Sequence, residues 1–590
     1  MLTLLGDWKR TNYCGEINKD HINKNVVLMG WVHKRRDHGG VIFLDLRDRT
    51  GLVQVVFSPE NKDNFALAGQ IRNEYVIAVK GVVRERPEGT INPKIKTGFV
   101  EINGEQLKIL NDSQVPPFIL EDKTNVGEEI RLKYRYLDLR RQRMQNNIII
   151  RDKLTYSIRE FLHNNGFIDV ETPFLAKSTP EGARDYLVPS RVNPGKFYAL
   201  PQSPQIFKQL LMISGFDKYY QIVRCFRDED LRADRQPEFT QLDMEMSFID
   251  REDLLQLLEK MFKEVLKKVF NIDVDLPFPR ITYEEAIDKY GTDAPDVRFG
   301  LYLKTLDDIV KDCNYNTFKR AVEEGGTVRG INLEGANFSR KDIDNINNLV
   351  LSMGGSGIAY IRITNKGISS PLSKYLGDNI IEKIVDIFGG KEGDIIFIMA
   401  GEKGLVNLAL SKIRIDFAKR KSLIKDNEYA FIWVLDFPLF EYNKDEGRYE
   451  AMHHPFTSPL DEDLEYFDKD PSKIRAKAYD LVMNGVEIGG GSIRIHRSDI
   501  QNKMFETLGL SDEDIKRKFG FFIDALKYGT PPHGGIAFGL DRITAILTHS
   551  DSIRDVIAFP KTQKAVCLMT SAPSEVDEKQ LKELNIKLDL

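Results

Sequence analysis

F-R-D-E-D-L-R-A-D-R-Q-P-E-F-T-Q, residues 226–241, is the most informative stretch of this 590-residue chain. An apolar run ends at its first residue, a charged loop follows, and Phe239 opens the next apolar run. The pattern predicts a strand, a loop and a returning strand that aim the guanidinium of Arg227, a carboxylate and the Phe239 ring into one cleft. Arginine pairs with phosphate oxygens and phenylalanine stacks on a base, so the stretch suits a nucleotide. A salt-bridged surface hairpin is the alternative.

Two further segments give this hairpin a context. Residues 535–542, G-I-A-F-G-L-D-R, combine small residues, which let the backbone approach a ligand closely, with a terminal arginine. Residues 157–173 predict an amphipathic helix, a helix stop at Asn165-Gly166, and a strand from Phe167 to Glu171. Each segment is weak evidence alone. Their order along the chain is the specific signal.

This order resembles motifs 1, 2 and 3 of the class II aminoacyl-tRNA synthetases, and the bacterial-type aspartyl enzymes in particular. The resemblance covers essentially the whole chain. It is also carried by T-P-E-G-A-R-D-Y (179–186), L-P-Q-S-P-Q-I-F-K-Q-L-L-M (200–212), A-M-H-H-P-F-T (451–457), G-G-G-S-I-R-I-H (489–496) and Y-G-T-P-P-H-G-G (528–535). It implies ATP-dependent activation of L-aspartate to aspartyl-adenylate and transfer to the 3′ end of tRNA(Asp).

Composition agrees with this reading without deciding it. The chain has 84 Lys and Arg against 89 Asp and Glu, a net charge of -5, so RNA contacts would need local patches such as 34–36 or 131–143. Solvated surface faces are the alternative for both patches. The four cysteines form no C-x-x-C pair, which argues against a zinc site and a disulfide framework. Without a signal peptide or membrane-length apolar run, we predict a cytoplasmic protein with no membrane partner.

The predicted fold is α+β and multidomain. Five short β-rich runs at the N-terminus, 26–36, 41–47, 52–58, 75–84 and 99–110, fit an OB-fold β-barrel, although an SH3-like barrel has similar periodicity. A helix is predicted at 252–270 from its apolar stripe. The predicted domains are an OB-fold anticodon-binding domain (1–111), a hinge (112–145), a class II antiparallel-sheet catalytic domain in two parts (146–287 with motifs 1 and 2, 422–560 with motif 3), an α/β bacterial-type insertion domain between them (288–421), and a C-terminal extension (561–590).

The resemblance assigns a nucleotide site. Arg227 would hold the α-phosphate and Arg542 the γ-phosphate of a bent ATP, with the base between Phe239 and Arg542. The predicted catalytic residues are Arg227, Glu229 and Arg542. The predicted ATP-binding residues are Arg227, Asp228, Glu229, Gln236, Phe239, Glu487, Gly539, Leu540, Asp541 and Arg542.

Asp480 and Glu487 are the predicted Mg²⁺ ligands. They lie on either side of a predicted turn at Asn484-Gly485, so their carboxylates can converge. Hard oxygen ligands together with phosphate oxygens are what Mg²⁺ prefers. A pair of exposed strand-end carboxylates is the alternative.

Substrate choice is predicted to rest on charge. By resemblance, Lys208 and Arg494 pair the side-chain carboxylate of aspartate, and asparagine would present an amide donor to two cations, at a cost of several kcal/mol. The predicted aspartate-binding residues are Glu181, Gln205, Ile206, Phe207, Lys208, Arg227, Asp243, His453 and Arg494, of which Glu181, Gln205 and Asp243 would accept the α-ammonium. The doublet His453-His454 is not expected to hold a metal, because adjacent residues of a strand point to opposite faces.

Two positions bear on the choice of tRNA. Among the resembling enzymes, those that also charge tRNA(Asn) tend to carry His after the basic loop and Gly in a P-E-G segment. This chain has His38 and Gly89 at these places, which predicts a non-discriminating enzyme, although both could be ordinary turn residues. Phe43 and Gln54 are predicted to contact anticodon bases if they are exposed.

Several alternatives stay open at this level. They are a strictly discriminating aspartyl enzyme, an asparaginyl or lysyl relative, and an inactive tRNA-binding paralogue. An ammonia-dependent asparagine synthetase on the same core is disfavoured because that family has no anticodon barrel. Motif 1 builds a dimer interface in the resembling family, so a homodimer is expected. The role of the insertion and of the C-terminal tail is not predicted.

Overall fold

The computed structural model describes residues 2–179, 182–231, 234–336, 338–425 and 427–589. Its backbone contacts divide the chain into two compact units. The first unit comprises Met1–Asp152, Leu231–Gln236 and Thr548–Glu575. The second comprises Lys153–Asp230, Pro237–Leu547 and Val576–Leu590.

A closed five-stranded barrel forms the core of the first unit. Its strands are β1 (Asn25–His38), β2 (Val41–Asp48), β3 (Gly51–Phe57), β4 (Val76–Glu85) and β5 (Val100–Asn111), with helix α1 (Lys62–Gln70) between β3 and β4. The order is β1-β2-β3-β5-β4, and the β3–β5 pair is parallel. Alternate apolar residues of the strands fill the interior, which is why the period-2 pattern predicted all five strands. The predicted barrel is confirmed.

Two of the six cations in the basic run at 131–143, Arg135 and Arg141, are buried, whereas Lys133 and Arg143 are exposed. The run carries the short helices α2 (Glu128–Lys133) and α3 (Arg135–Asp138). Asp138 is fully buried and accepts hydrogen bonds from Arg135 at 2.7 Å and Arg141 at 2.6 Å. Both guanidiniums are themselves buried, so this part of the predicted RNA patch serves internal ion pairing.

The second unit is built on an eight-stranded sheet. The strands of this unit belong to the large sheet, to the sheet of the insertion and to two separate hairpins. In chain order they are β6 (Ile168–Asp169), β7 (Leu187–Pro189), β8 (Phe197–Ala199), β9 (Lys218–Phe226), β10 (Glu238–Ser247), β11 (Arg280–Thr282), β12 (Leu303–Thr305), β13 (Thr327–Leu333), β14 (Ala359–Thr364), β15 (Gly367–Ser369), β16 (Ile395–Gly401), β17 (Phe431–Leu435), β18 (Phe440–Asn443), β19 (Arg448–Ala451), β20 (Ala478–Met483), β21 (Val486–Ile493) and β22 (His533–Gly539). The large sheet has the order β11-β17-β20-β21-β22-β10-β9-β6. Its ladders are antiparallel except at the two ends, β11–β17 and β6–β9. The predicted antiparallel catalytic sheet is confirmed.

Helices pack on this sheet and on the insertion. They are α4 (Gln142–Asn164), α5 (Gln205–Ile213), α6 (Arg251–Phe270), α7 (Tyr283–Tyr290), α8 (Asp307–Val310), α9 (Asn316–Glu323), α10 (Arg340–Ser352), α11 (Ser373–Leu376), α12 (Asp378–Phe388), α13 (Lys403–Arg420), α14 (Ser498–Thr507), α15 (Asp512–Leu526), α16 (Leu540–Leu547) and α17 (Glu578–Glu583). The predicted helix at 252–270 corresponds to α6, whose apolar stripe joins α4 and the sheet in one core. Helix α17 of the tail buries no residue.

The insertion forms its own antiparallel sheet, in the order β12-β13-β16-β14-β15. Helices α10 and α13 share one apolar core with it, and α8, α9, α11 and α12 share another. The sheet lies in the chain between β11 and β17, where an inserted α/β module was predicted. The boundaries 288 and 421, like those of the other predicted domains, stay predictions.

Two negative findings hold for the described ranges. None of the helices there is long and apolar enough to cross a membrane. The four cysteines are all buried and unbridged, in agreement with the expected lack of a disulfide framework.

Candidate active site

Strands β9 and β10 bring the first predicted pair together. Cys225 lies opposite Phe239 in the ladder, and Arg227 donates its backbone N–H to Pro237 O at 2.9 Å. The guanidinium carbon of Arg227 therefore lies 5.0 Å from the centre of the Phe239 ring. Its Nε is buried with no hydrogen-bond acceptor in the described part of the chain. A cation and an aromatic face thus meet here, as the motif predicted.

The loop after β9 is held by main-chain pairing. Asp228 and Arg184 exchange backbone hydrogen bonds of 3.1 and 3.4 Å. The Asp228 residue is exposed, and Glu229 is half-buried. Both can therefore be reached from the cleft side of the hairpin.

The four predicted nucleotide-binding residues between β22 and α16 differ in how far the protein already engages their side chains. Leu540 packs in the hydrophobic core, and the Asp541 carboxylate accepts the Thr240 N–H at 2.9 Å. These two side chains are engaged by protein, so only their backbone could contact a nucleotide. Gly539 precedes them at the end of β22. Arg542 is half-buried and donates to Glu487 O at 3.0 Å.

The predicted metal ligands converge. Asn484 and Gly485 have φ of 54° and 79°, which makes the tight hairpin turn that joins β20 to β21. Asp480 faces Gly490 across the ladder. A Cβ on Gly490 would lie 2.6 Å from Asp480 Oδ1 and 3.5 Å from Glu487 Oε1, so both carboxylates lie beside this glycine.

The electrostatics of this pair fit a cation. Desolvation on its protein-facing side and the Asp480 charge raise the pKa of Glu487 to about 7, although 47% of its side chain is exposed. Asp480 Oδ1 is buried with no hydrogen-bond partner among the described residues, and His453 Nε2 lies 3.9 Å away. No group of three metal-binding side chains occurs in the described ranges. Two carboxylates plus phosphate and water oxygens nevertheless suffice for Mg²⁺.

His453 lies against the acidic pair. Burial lowers the pKa of the imidazole, but the Asp480 and Glu487 charges outweigh burial and raise the pKa above its ordinary value. Its ring meets Phe437 edge to face at 4.6 Å. The histidine doublet lies in a bend after β19, not in a strand. The strand argument against a shared metal was therefore wrong in its premise.

The predicted aspartate pocket contains four buried charges. Asp243 and Glu245 alternate along β10 and so point to one face of the sheet, where neither has any exposed surface. Lys208 Nζ, from α5, lies 2.7 Å from Asp243 Oδ1 and 3.3 Å from Glu245 Oε2. Arg494, just after β21, donates its Nε–H to Glu245 Oε1 at 3.0 Å. Lys208 and Arg494 are thus tied to one carboxylate.

Each of these cations keeps a donor for a ligand. Arg494 Nη1 donates to Ser492 Oγ at 2.7 Å, and Nη2 contacts Glu245 and Gly535 O. A guanidinium has five N–H groups and an ammonium three, so one N–H of Arg494 and one of Lys208 have no acceptor within the described chain. Two donors in one buried pocket match the two oxygens of a short carboxylate.

The two acids of the pocket are not equivalent. Burial raises the pKa of Asp243 to about 6, although the Lys208 ammonium opposes this. Burial also acts to raise the pKa of Glu245, but Arg494 and Lys208 outweigh it and hold that pKa below its ordinary value. Asp243 Oδ2 has no hydrogen-bond partner in the described residues. Asp243 can therefore accept a proton or a ligand cation, whereas Glu245 stays ionised.

The start of α5 lines a neighbouring cleft. Gln205 is buried, and its Nε2 has no hydrogen-bond partner within the described part. Ile206 and Phe207 border a cleft of about 470 Å³ together with Gln202 and Phe521. The residues of α5 that were predicted to bind substrate therefore face two places. Lys208 contacts Asp243, whereas Ile206 and Phe207 border this cleft.

The roles predicted for Glu181 and Gln236 stay predictions. Glu181 lies outside the described residues. Gln236 belongs to the first compact unit, where its amide exchanges hydrogen bonds of 2.7 and 3.0 Å with the backbone of Lys561. Its Nε2 also donates to Arg235 O at 3.2 Å, so backbone groups of Arg235 and Lys561 hold this side chain.

The barrel residues differ in exposure. His38 and Gly89 are exposed, and Gly89 has φ of 80°. The His38 ring lies 6.5 Å from that of Phe43, which is half-buried. Gln54 is buried, so the exposure on which its predicted anticodon contact depends is absent in the structure. Arg36 and Glu101 occupy both ends of its amide, because an amide inside a barrel wall needs partners.

Comparison with known proteins identifies the family of this chain. The model of the tRNA synthetases class II (D, K and N) matches residues 127–563, and that of the OB-fold nucleic acid binding domain matches residues 26–110. The chain belongs to the class II tRNA synthetases of this group. The resemblance to bacterial-type aspartyl enzymes is confirmed.

Curated relatives match along nearly the full length. A protein named aspartate–tRNA(Asp/Asn) ligase from Caldanaerobacter subterraneus subsp. tengcongensis is 57% identical over 99% of both chains. One of the same name from Geotalea uraniireducens is 55% identical over 100% of this chain and 99% of its own.

Solved structures share the fold at low identity. Asparaginyl-tRNA synthetase from Pyrococcus horikoshii, complexed with asparaginyl-adenylate, is 20% identical with a TM-score of 0.59, covering 94% of this chain and 98% of its own. Aspartyl tRNA synthetase from Entamoeba histolytica is 19% identical with a TM-score of 0.57, covering 94% and 91%.

Sequence reasoning missed two members of this synthetase pocket. Glu245 holds both cations, and Ser492 orients Arg494. The signal for Glu245 was the D-M-E alternation within an otherwise apolar strand, since buried acids on one face of a strand need cationic partners. For Ser492 we find no comparable signal.

Proposed function

We propose that this chain is an aspartate–tRNA ligase that activates L-aspartate with ATP and charges both tRNA(Asp) and tRNA(Asn). The observation that carries this proposal is the pair of cations, Lys208 and Arg494, joined through Glu245 in a buried pocket. The pocket offers two free donors to a short carboxylate. An asparagine amide would turn a donor toward the same two groups and leave them unpaired.

The first step would be attack of the aspartate α-carboxylate on the α-phosphorus of ATP, with pyrophosphate as the leaving group. Arg227 is suited to the charge that develops on the α-phosphate, and the Phe239 ring beside it to the adenine. Arg542 would pair with the γ-phosphate. The second step would be attack of the terminal ribose hydroxyl of tRNA on the adenylate carbonyl, which releases AMP.

Asp480 and Glu487 would hold Mg²⁺, which supplies charge neutralisation for the leaving pyrophosphate. Their convergence over Gly490 and the unpartnered oxygen of Asp480 support this assignment. Glu181, Gln205 and Asp243 are the proposed acceptors for the α-ammonium, and His453 is a further contact to the amino acid. Asp243 Oδ2 is the best supported of them, because it is buried and unpartnered in the described chain.

Charging of two tRNAs is supported by His38 and Gly89 and by the names of the relatives. His38 lies at the exposed tip of the β1–β2 hairpin beside Phe43, where a splayed anticodon base could stack. A strictly discriminating aspartyl enzyme is the second candidate, favoured only if His38 and Gly89 act as plain turn residues.

A homodimer and a cytoplasmic location complete the proposal. The short strand β6 lies at the edge of the large sheet, with Ile168, Phe174 and Leu175 exposed nearby. Apolar side chains beside an open sheet edge are the usual composition of a subunit interface. The mass in solution, measured by light scattering, would be twice that of one chain.

The test begins with ATP–pyrophosphate exchange in the presence of aspartate, asparagine or lysine. Exchange with aspartate alone is expected. Charging of pure tRNA(Asp) and tRNA(Asn) transcripts follows, and product on both is expected. Charging of tRNA(Asp) alone would leave the discriminating alternative, and no exchange with any amino acid would point to an inactive paralogue.

A further inference from the structure

Two exposed arginines of the barrel unit lie against one half-buried aromatic ring. The guanidinium carbons of Arg10 and Arg49 lie 4.8 and 4.9 Å from the centre of the Tyr13 ring. Arg49 Nη2 also lies 3.4 Å from Tyr13 Oη, and Arg10 Nη2 donates to Met29 O at 2.8 Å. We call Arg10, Tyr13 and Arg49 the Tyr13 platform.

The platform is built rigidly. The buried carboxylate of Asp48 accepts the Cys14 N–H at 2.6 Å and the Thr50 N–H at 2.9 Å, which fastens the segment after Tyr13 to the β2–β3 turn. Gly15 donates to Thr50 Oγ1 at 2.8 Å. Its backbone is so close that a Cβ would lie 2.1 Å from Thr50 O, and only glycine permits this approach. Tyr13 and the turn that carries Arg49 are therefore fixed to each other.

The charges of the platform are not neutralised internally. Neither Arg10 nor Arg49 has a carboxylate within 4.0 Å among the residues that the structure describes, and both are exposed. Glu16, the acidic neighbour, is engaged with the Tyr13 backbone N–H at 3.3 Å. Among the other barrel arginines, the half-buried Arg36 pairs with Asp45 and the exposed Arg84 with Glu101, whereas the exposed Arg72 has no ion pair in the described chain. Two unneutralised guanidiniums on a fixed ring form a site for anionic groups.

The location separates this site from the predicted anticodon contacts. His38 lies at the β1–β2 turn, whereas Arg49 lies at the β2–β3 turn, at the other end of β2. An eight-residue strand separates the two turns by about 25 Å, given about 3.3 Å per residue. A ligand that contacts both turns must therefore be extended, and its part at the platform must be anionic.

We propose that the Tyr13 platform binds the phosphate backbone of the tRNA outside its anticodon loop. This inference rests on the proposed function, which supplies the tRNA. Phosphate contacts position a nucleic acid without reading its sequence, so the platform would serve tRNA(Asp) and tRNA(Asn) equally. Base readout would remain with the His38 end of the barrel.

The experiment measures the affinity of the full chain for a tRNA(Asp) transcript over a series of salt concentrations. Arg10→Gln and Arg49→Gln are each expected to raise Kd about three- to tenfold and to lower the slope of log Kd against log salt by about one. Arg49→Lys should keep most of the affinity, because it keeps the charge. The matched control is Arg72→Gln, since Arg72 is an exposed barrel arginine with no ion pair in the described chain. It should bind like the parent.

Two further arms make the result decisive. Protection of tRNA phosphates from ethylation should be lost outside the anticodon loop in Arg49→Gln and retained in Arg72→Gln. Thermal unfolding identifies any variant that fails to fold, and Tyr13→Leu, which keeps both arginines, then serves as the second probe of the platform. An unchanged Kd and salt slope in the folded variants, or an equal loss in the control, would overturn the proposal. Pyrophosphate exchange by the parent chain tests the proposed function separately.

Discussion

Glu245 Oε1 accepts the Nε–H of Arg494 at 3.0 Å, and this bond fixes the guanidinium at the bottom of the pocket. The same carboxylate lies 3.3 Å from Lys208 Nζ. Glu245 therefore links the two groups that would receive the substrate carboxylate, and Asp243 shares Lys208 with it at 2.7 Å. The pKa of Glu245 lies below the ordinary value, because the two cations outweigh burial, so it remains charged through the physiological range.

Substitution of Glu245 should damage both stability and substrate binding. Glu245→Gln leaves two buried cations short of a counter-ion, at a cost of about 3 kcal/mol in unfolding free energy. The KM for aspartate in pyrophosphate exchange should rise at least about tenfold, since Arg494 is no longer held. Glu252→Gln, which weakens an exposed pair with Arg280, is the control and should change neither quantity. Equal behaviour of the two variants would contradict the role of Glu245.

Lys208→Met should reduce discrimination between aspartate and asparagine. Loss of one partner from a buried charge cluster costs about 2–5 kcal/mol, so kcat/KM for aspartate should fall about a hundredfold or more. The value for asparagine should fall much less, because its neutral amide gains little from the ammonium. Kinetics with both amino acids measure the ratio. A parallel loss for both would show that Lys208 acts only through the fold.

The pH dependence of aspartate binding should follow Asp243. Its pKa of about 6 means that its carboxylate becomes protonated as the pH falls through 6, and it then loses its attraction for the α-ammonium. KM for aspartate should therefore rise below pH 6. Stability has the opposite sign: the folded pKa is above the ordinary 3.8, so ionisation of Asp243 destabilises the fold as the pH rises from 3.8 to 6. Asp243→Asn should have a high KM without this pH dependence. A dependence retained in Asp243→Asn would assign it to another group.

Gly490→Ala should disturb the predicted Mg²⁺ ligands without any change of charge. The added methyl would lie 2.6 Å from Asp480 Oδ1, so the carboxylate must move. The Mg²⁺ concentration for half-maximal exchange should rise about tenfold, as for Asp480→Asn and Glu487→Gln. Gly520→Ala in α15 meets only an ordinary contact of 3.5 Å and is the matched control. An unchanged Mg²⁺ requirement in all three active-site variants would show that Asp480 and Glu487 do not bind the metal.

His38→Leu should lower charging of tRNA(Asn) relative to tRNA(Asp). The substitution removes the polar ring edge beside Phe43 at the exposed hairpin tip and roughly keeps its size. We expect about a tenfold drop in the ratio of the two kcat/KM values, the size of one lost base contact. His163→Leu, at an exposed position of α4, controls for the loss of a histidine. No change in the ratio would leave His38 as a turn residue.

Much of the fold was predictable because local patterns and tertiary structure agree. The alternation in β1 to β5 marks the inward face of the barrel, so strand positions could be read within a few residues. The strand predicted at 167–171 fared less well, because only Ile168–Asp169 pair with β9. The β-propensity of these residues predicts an extended backbone, but whether they pair at a sheet edge depends on the tertiary structure.

The candidate site shows where sequence reasoning stops. The Arg227–Phe239 pair and the Asp480–Glu487 pair could be placed from hairpin geometry, since their partners are close in sequence. The sequence did not show which charged side chains are buried. Arg135 resembles a surface cation but is buried, because its acceptors, the carbonyls of Arg554, Ile557 and Ala558, lie far along the chain. Charge along a sequence does not indicate which guanidiniums are already paired.

The parallel pair β11–β17 has a consequence for the history of this family. Arg280 lies beside Trp433 and Thr282 beside Leu435, so the chain leaves β11 at one end of this parallel pair and re-enters β17 at the other end, one short strand length away. The β12–β16 sheet lies wholly within the connection between these two strands. Descendants could acquire, shorten or discard this module in one recombination event, and every ladder that supports Lys208, Asp243 and Arg494 would survive the exchange.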